Sequence, residues 1–566
     1  MRRRRALSLV LLAVVSAAVI LGPALSAGLV QAYDLGWSPD PRFTPAVLGL
    51  DTPAPRVVPS DAAGVLLGRL LGAGLAQKVV LLSILVLASM GVVRLVGALR
   101  ERPSGAALAA AVLAAQWNPF VAERLVIGQW TVLLGYSLVP WVLAMTLDQR
   151  RDGFLTLTWP VLLASIGGAN SAAMVALAAV PALAWQRAWR GLAGMVVLTI
   201  GAAAIWALPS LTGGAAGDPA GADAFAARSD SPFGLVASLL SGGGFWNVSS
   251  WPVERASVVL AGLLLLGIGG AVLSLARGTE AGPLRVLLVA SLPSLLVTAL
   301  SSWSLTADAW GGLLDLLPGG GILRDSQKLV APWVCVIAAG AAVGVDVLRR
   351  WGRGAAVAAW AVPVLPVLLL PSMAWGFGGR LDAVRVPTDL RSAATLLSEA
   401  PQGEVGLLPW NQYRRYAWNG DRISLSIVPR MVDAPVLRDD SLPLRDRRIG
   451  GENARAAAVT QRIAAGVAPT TALREQGVRY LVIERATGLV TPPAPTGARI
   501  LASGPHVTVV DLGPAAAARS TEQRGARGAG VVLTGLTWAV GLAAAWVRAR
   551  RRRLREGGTS TSYGAV

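Results

Sequence analysis

One cysteine, one histidine and two lysines occur in 566 residues, and each scarcity removes a class of chemistry. Cys335, inside an apolar run, cannot form an intrachain disulfide on its own. A lone His506 argues against histidine-based zinc sites and His-based triads, so any metal would have to be a hard cation held by carboxylates. With only Lys78 and Lys328, arginine carries almost all the positive charge. No phosphate loop of the GxxxxGK[ST] or GxGxxG kind follows any strand-like segment, which argues against an ATP- or NAD-dependent domain. The absence of an internal repeat weakens a transporter built on inverted repeats, and few ionisable residues stand in mid-membrane to couple an ion.

What is present is apolar. A mean hydropathy of +0.56 and 54% hydrophobic residues exceed what a soluble domain of this length would tolerate on its surface. Runs such as 258–275 and 331–347 are long enough to cross roughly 30 Å of hydrocarbon. The net charge of +19 sits largely at the ends of such runs, where anionic headgroups, not nucleic acid, are the expected partner. Arginines cluster in every second gap: Arg2 to Arg5, Arg94/Arg100/Arg102, Arg150/Arg151, Arg187/Arg190, Arg277/Arg285, Arg349/Arg350/Arg353 and Arg548 to Arg555. That alternation is what the positive-inside rule produces.

Taking the clusters as cytoplasmic predicts a polytopic α-helical protein of the plasma membrane with about twelve spans and both termini inside. The spans fall near 6–28, 78–99, 104–117, 127–146, 154–168, 171–186, 192–211, 256–276, 284–301, 329–348, 355–376 and 529–547. The third, fifth and sixth are short enough to be re-entrant. The first is expected to remain uncleaved, although Ala-Leu-Ser-Ala mimics a signal-peptide cleavage site. Residues 1–376 then form a transmembrane domain with a first outer loop at about 29–77. Residues 377–528 form an exterior domain, and 529–566 a last helix with a basic cytoplasmic tail. The exterior domain reads as mixed α/β: a helix at 390–400, a strand at 404–408, a helix at 471–476 stopped by Gly477, a strand at 478–484, and a hairpin from 499–503 to 507–512.

Four outer segments carry candidate chemistry. The first loop holds Asp34, Asp40, Asp51 and Asp61. Asp34 or Asp40, at the mouth of the first span, could act as a general base, and two such carboxylates could share Mg²⁺ or Mn²⁺. A solvated, turn-forming loop is the plainer alternative. The segment Trp117-Asn118-Pro119-Phe120-Val121-Ala122-Glu123-Arg124, followed by Gly128-Gln129-Trp130, sets Glu123 and Arg124 beside an apolar run, where charges are costly unless paired. It would equally suit an interfacial helix anchored by aromatics. Arg324-Asp325-Ser326-Gln327-Lys328 follows a glycine run, and cations spaced i, i+4 can share a helical face to hold a phosphate. A headgroup anchor would need only one of them. Finally, Trp410, Tyr413 and Trp418 lie among amides and arginines, as in a sugar-binding cleft or a domain resting on a membrane.

This layout resembles the GT-C class of integral membrane glycosyltransferases, above all the arabinofuranosyltransferase-type envelope proteins of actinobacteria. Asp34 and Asp40-Pro41 stand where that class has its acidic loop motif. Asn118-Pro119 with Gly128 matches the second outer turn, and Arg324-Asp325-Ser326-Gln327-Lys328 resembles the Arg-x-x-x-Lys element before a late span. The first loop departs from the class in lacking a tight Asp-x-Asp or Asp-Asp pair. The resemblance implies transfer of a sugar from a polyprenyl-phosphate donor to an envelope glycan, lipid or protein acceptor. Asp34 or Asp40 would be the base, Arg324 and Lys328 would hold the donor phosphate, and Glu123, Arg124 and Asp325 would support them. Trp410, Tyr413 and Trp418 would contact sugar, and a divalent cation, Mg or Mn, is admitted but not required. The competing expectation is a non-catalytic binder or transporter of lipid-linked envelope glycans, which would keep Arg324 and Lys328 but need no carboxylate base.

Overall fold

The computed structural model describes residues 2–52, 55, 57–148, 156–212, 220–316, 323–444, 448–515 and 524–558. The glycine run 319–321 and the arginine pair 150–151 lie outside these residues. Ten described helices have the length and hydropathy to cross a membrane, or eleven if the pair Arg353–Leu369 and Pro371–Gly379, bent by 64°, counts as one. About twelve were expected. The shortfall is at 154–168, where the helix Thr158–Ile166 has nine residues and covers only about 14 Å.

The most buried of the ten are Ser326–Leu348, Gly105–Val126 and Trp130–Leu147, with 83%, 78% and 78% of their apolar windows inside the protein. Val258–Gly278 and Gly525–Arg550, at 22% and 17%, present mostly apolar surface outward, as a bundle rim facing lipid does.

The bundle has two unlike ends. At one end the arginine clusters meet neighbouring turns. Arg5 donates to the Pro103 carbonyl, Arg100 Nη1 to the Gly278 carbonyl at 2.7 Å, and Arg94 pairs with Asp148. At the other end lie the first loop, the turn around Asn118–Trp130, the segment 220–257, the start of Ser326–Leu348 and the α/β region.

The α/β region is built as its sequence pattern predicts. A five-stranded sheet has the order Arg499–Ser503, Val507–Asp511, Val478–Glu484, Glu404–Leu408, Val436–Leu437. The first two pairings are antiparallel and the last two parallel. Val478–Glu484 has neighbours on both edges and is almost wholly buried, which explains its apolar run from Tyr480 to Ile483. Helices Thr388–Glu399, Ala454–Ala464 and Pro469–Glu475 accompany the sheet, and Gly477, at φ +82°, follows the last of them.

The first loop is not free in solvent. Leu29–Val30 pairs with Ala383–Val384, and Tyr33 exchanges backbone hydrogen bonds with Ile423 and Leu425 in the hairpin Tyr413–Arg415/Ile423–Leu425. Arg430 and Arg438 reach back to Asp61 and Asp51. The loop is thus held between the helices and the α/β region.

Candidate active site

Asp34 lies where the first loop crosses the turn after helix Pro119–Val126. Asn118 caps that helix, its Oδ1 accepting from the Val121 N–H at 2.9 Å, and Pro119 occupies the first turn. Gly128 then turns the chain at φ +72°. A Cβ there would come within 2.4 Å of the Leu35 nitrogen and 2.5 Å of the Ala32 carbonyl, so glycine is what lets the loop lie this close. The crossing is pinned by the Asp34 N–H donating to the Ile127 carbonyl at 3.1 Å.

Two side chains hold the Asp34 carboxylate. The Tyr413 hydroxyl donates to Oδ1 at 2.7 Å and Gln129 Nε2 to Oδ2 at 3.3 Å. Burial pushes this carboxyl above its ordinary range, while the two hydrogen bonds and the charges of Arg430 and Arg124 pull it part of the way back. An aspartate of raised pKa is a stronger base than one in water, provided it still ionises at the working pH.

Gln129 passes the connection inward. Its Oε1 accepts from Arg124 Nη1 at 2.5 Å. Arg124 is completely buried and forks onto Asp325, at 2.5 Å and 3.1 Å. Its Nη2 also donates to Gln327, and its guanidinium carbon sits 4.1 Å from the centre of the Phe245 ring. Gln327 Nε2 in turn donates to the Gly243 carbonyl at 3.1 Å and to Glu123 at 3.4 Å. One continuous network therefore runs Tyr413, Asp34, Gln129, Arg124, then Asp325 and Gln327, and ends at Glu123. Close by, Arg255 forks onto Asp230 at 2.9 Å and 2.8 Å and donates to Ser241 at 2.7 Å. Burial would raise the Asp230 carboxyl, but the hydrogen bonds and charge of Arg255 outweigh it and hold the group below its ordinary value.

Each of the four segments singled out in the sequence contributes to this network, though not always through the expected residue. Asp34, Glu123, Arg124, Asp325 and Tyr413 come together. Asp40 does not: its side chain is half exposed and faces Arg42 at 3.4 Å. The two cations do not share a helical face, because Arg324 lies in the bend ahead of the 3₁₀ turn Ser326–Val330. The Arg324 guanidinium stands 5.3 Å from the Phe225 ring centre, and the buried Lys328 donates to Asn170 at 2.5 Å. Trp410 donates to Thr460 at 2.9 Å and fastens helix Ala454–Ala464, while Trp418 stacks on Tyr416 at 5.2 Å. Both serve the packing of the α/β region.

The four loop aspartates share no cation site. Asp40 meets Arg42, Asp51 meets Arg438 and Asp61 meets Arg430, and Asp34 accepts on both oxygens. Among the described residues, no three His, Cys, Asp or Glu side chains gather as metal ligands do.

Sequence reading passed over Gln129 and Gln327 although both stood inside the quoted motifs. Neutral amides give no charge signal, yet each can accept from one group and donate to another, which a relay between two charges requires. Asp230 and Arg255 are 25 residues apart in a Gly- and Ser-rich stretch, and no spacing rule pairs them.

Mycobacterial arabinofuranosyltransferase AftD, known from cryo-EM, superposes on 92% of this chain with a TM-score of 0.52 at 18% identity. Two structures of an AftD mutant give 0.53 at 19% and 0.51 at 18%, again over 92% of the chain. The fold is GT-C. The chain spans about 40% of the AftD it matches, so the GT-C likeness concerns architecture and leaves chemistry to be argued from the residues. No protein-family model and no curated protein matches the chain.

Proposed function

We propose that this protein moves a sugar from a polyprenyl-phosphate donor to a cell-envelope glycan or lipid acceptor at the outer face of the plasma membrane. The observation that carries the reading is the Asp34 carboxylate, partly buried and held by Tyr413 and Gln129 where the bundle meets the α/β region, with its pKa raised. The arginine clusters at the opposite end support reading this end as the outer one. The GT-C architecture shared with an arabinofuranosyltransferase fits the same chemistry.

In the proposed step the acceptor hydroxyl oxygen attacks the anomeric carbon and gives its proton to Asp34. The bond between that carbon and the phosphate oxygen breaks, and polyprenyl phosphate leaves with the electron pair. Arg324 and Lys328 are assigned to the departing phosphate, Arg324 by contact and the buried Lys328 through its charge. Arg124 is committed to Asp325 and keeps Gln129 aimed at Asp34. The described residues offer no built site for Mg²⁺ or Mn²⁺, so no step is routed through a metal.

The test is transfer of radiolabelled sugar from a synthetic polyprenyl-phosphate donor in membranes carrying the protein. Asp34→Asn should abolish it while the protein accumulates normally. Full transfer by Asp34→Asn and by the Asp34→Asn/Asp40→Asn double variant, with function still lost in Arg324→Ala, would sink this reading and leave the binder of lipid-linked glycans.

A further inference from the structure

Tyr33 stands directly before Asp34 and takes no part in the proposed step, yet the chain holds it in a conformation that costs free energy. Residues 32–35 form a tight turn closed from both sides. The Leu35 N–H donates to the Ala32 carbonyl at 2.8 Å, and the Ala32 N–H to the Leu35 carbonyl at 3.3 Å. Tyr33 is the second residue of that turn, at φ +45°, where glycine is the usual occupant. A bulky side chain at positive φ crowds its own backbone, so its presence asks what the ring does.

Three sets of contacts hold that ring in place. The backbone of Tyr33 extends the hairpin Tyr413–Arg415/Ile423–Leu425: its N–H donates to the Ile423 carbonyl at 2.6 Å and its carbonyl accepts from the Leu425 N–H at 3.0 Å. Leu425 is also the cross-strand partner of Tyr413, so Tyr33 and Tyr413 flank the same strand. Their rings meet edge-on, 6.1 Å between centres and 60° apart, inside the range of attractive aromatic pairs. At the far end of the ring the Tyr33 hydroxyl lies 3.0 Å from Ser249 Oγ. Ser249 gives its own hydroxyl proton to Asn247 Oδ1 at 2.7 Å, so Tyr33 is the donor. The Ser249 carbonyl accepts from Arg380 in turn. The hairpin thus fixes one end of Tyr33 and the turn Val248–Ser250 the other.

Tyr413 is where this fixing takes effect. Its hydroxyl donates to Asp34 Oδ1 at 2.7 Å, and a phenol carried on two rotatable bonds swings away unless its ring is packed. We propose that Tyr33 is a positioning residue: its ring braces that of Tyr413 and so keeps the phenol on the Asp34 carboxylate. Gln129 also bears on Asp34 by a hydrogen bond, and Arg430 and Arg124 by charge. None of these three is hydrogen-bonded to Tyr33, and the charge that faces Tyr33 itself is that of Arg380. Loss of the Tyr33 ring should therefore reach Asp34 through Tyr413. Only in calling Asp34 the base does this rest on the transferase reading.

The experiment uses the full chain in nanodiscs and reads Asp34 in two ways. One is the acidic limb of kcat/KM for transfer, and the other is infrared titration of the carboxylate against the Asp34→Asn protein. Tyr413→Phe sets the reference, a shift to higher pH of about one unit. Tyr33→Gly and Tyr33→Ala should reproduce it. Tyr33→Gly combined with Tyr413→Phe should move no further than Tyr413→Phe alone, since both changes remove one contact. Tyr33→Phe keeps the brace and should titrate close to wild type. Tyr33→Gly, relieved of the positive-φ cost, should unfold at a higher temperature than Tyr33→Ala while titrating alike, which separates positioning from stability. If Tyr33→Ala does not fold, Tyr33→Gly and Tyr33→Phe carry the comparison. An unshifted titration in Tyr33→Gly, a shift in Tyr33→Phe as large as in Tyr33→Gly, or a double variant whose shift is the sum of the singles overturns the proposal. The two readings fail separately. Transfer that survives Asp34→Asn removes the base, while the infrared titration still reports whether Tyr33 acts on Asp34.

Discussion

Arginine does opposite work at the two ends of the bundle. At the clustered end Arg94 meets Asp148 with both side chains nearly half exposed, and Arg5 and Arg100 reach only backbone carbonyls. Such contacts contribute little to stability, and their value is in fixing which end stays on the charged side. At the polar end Arg124 and Arg255 are sealed from solvent, and each is forked onto one carboxylate. A guanidinium in that position is costly to bury and tolerable only with its partner in place. Count and spacing describe the first kind of arginine well. Burial separates the second kind from it.

The sharpest way to break this contrast is to remove one partner at each end. Arg124→Met strands Asp325 and should cost about 3–5 kcal/mol of stability, together with all transfer activity. Arg94→Met should cost no more than about 0.5 kcal/mol. Thermal unfolding of both variants in nanodiscs measures the difference, and equal losses would erase the distinction. Next in size is the base. Asp34→Asn should slow transfer by about 10²- to 10⁴-fold without a comparable loss of stability. Asp40→Asn, six residues on in the same loop and half exposed, should stay within about twofold of wild type.

A smaller effect sharpens the electrostatics. The proposed step requires ionised Asp34, so activity should fall as pH drops through its raised pKa. Tyr413→Phe removes a donor to the ionised form, so the pKa should rise further and the acidic limb of the pH profile should move to higher pH. The accompanying loss of stability should be about 1 kcal/mol. An unmoved limb would mean that Tyr413 does not hold the carboxylate in the working protein.

The bundle and the α/β region were largely legible because each follows from local pattern. Apolar runs and arginine clusters mark the helices and their two ends, and the strands Glu404–Leu408 and Val478–Glu484 fall where alternation and buried runs put them. The fifth segment, short enough by sequence to be re-entrant, has a described helix only at Thr158–Ile166, since composition shows that a segment is apolar but not where its helix stops. The site was legible as four neighbourhoods and less so as residues. Asp34 and Arg124 stood out as charges in apolar company. Trp410 and Trp418 draw attention as aromatics, but they pack within the α/β region, while Trp37 and Trp130, 6.2 Å apart between ring centres, follow Asp34 and Gln129 closely in the chain. Which indole lines a cleft depends on chain crossings such as that at Gly128, and no window of sequence contains both sides of such a crossing.

The hydrogen bond from Tyr413 to Asp34 joins residues 379 apart in the chain. At ordinary synthesis rates of about 5–20 residues per second, roughly 20–75 s pass between making the carboxylate and making the phenol that orients it. During that interval most of the helices can enter the bilayer while Asp34 still lacks its partner. A chain cut short by a stalled ribosome or a nonsense codon upstream of Tyr413 would carry an intact acidic loop whose Asp34 lacks one of its two side-chain donors. On the proposed function, completion of the polypeptide would act as the release of the catalyst, since a copy ending before Tyr413 would hold Asp34 through Gln129 alone.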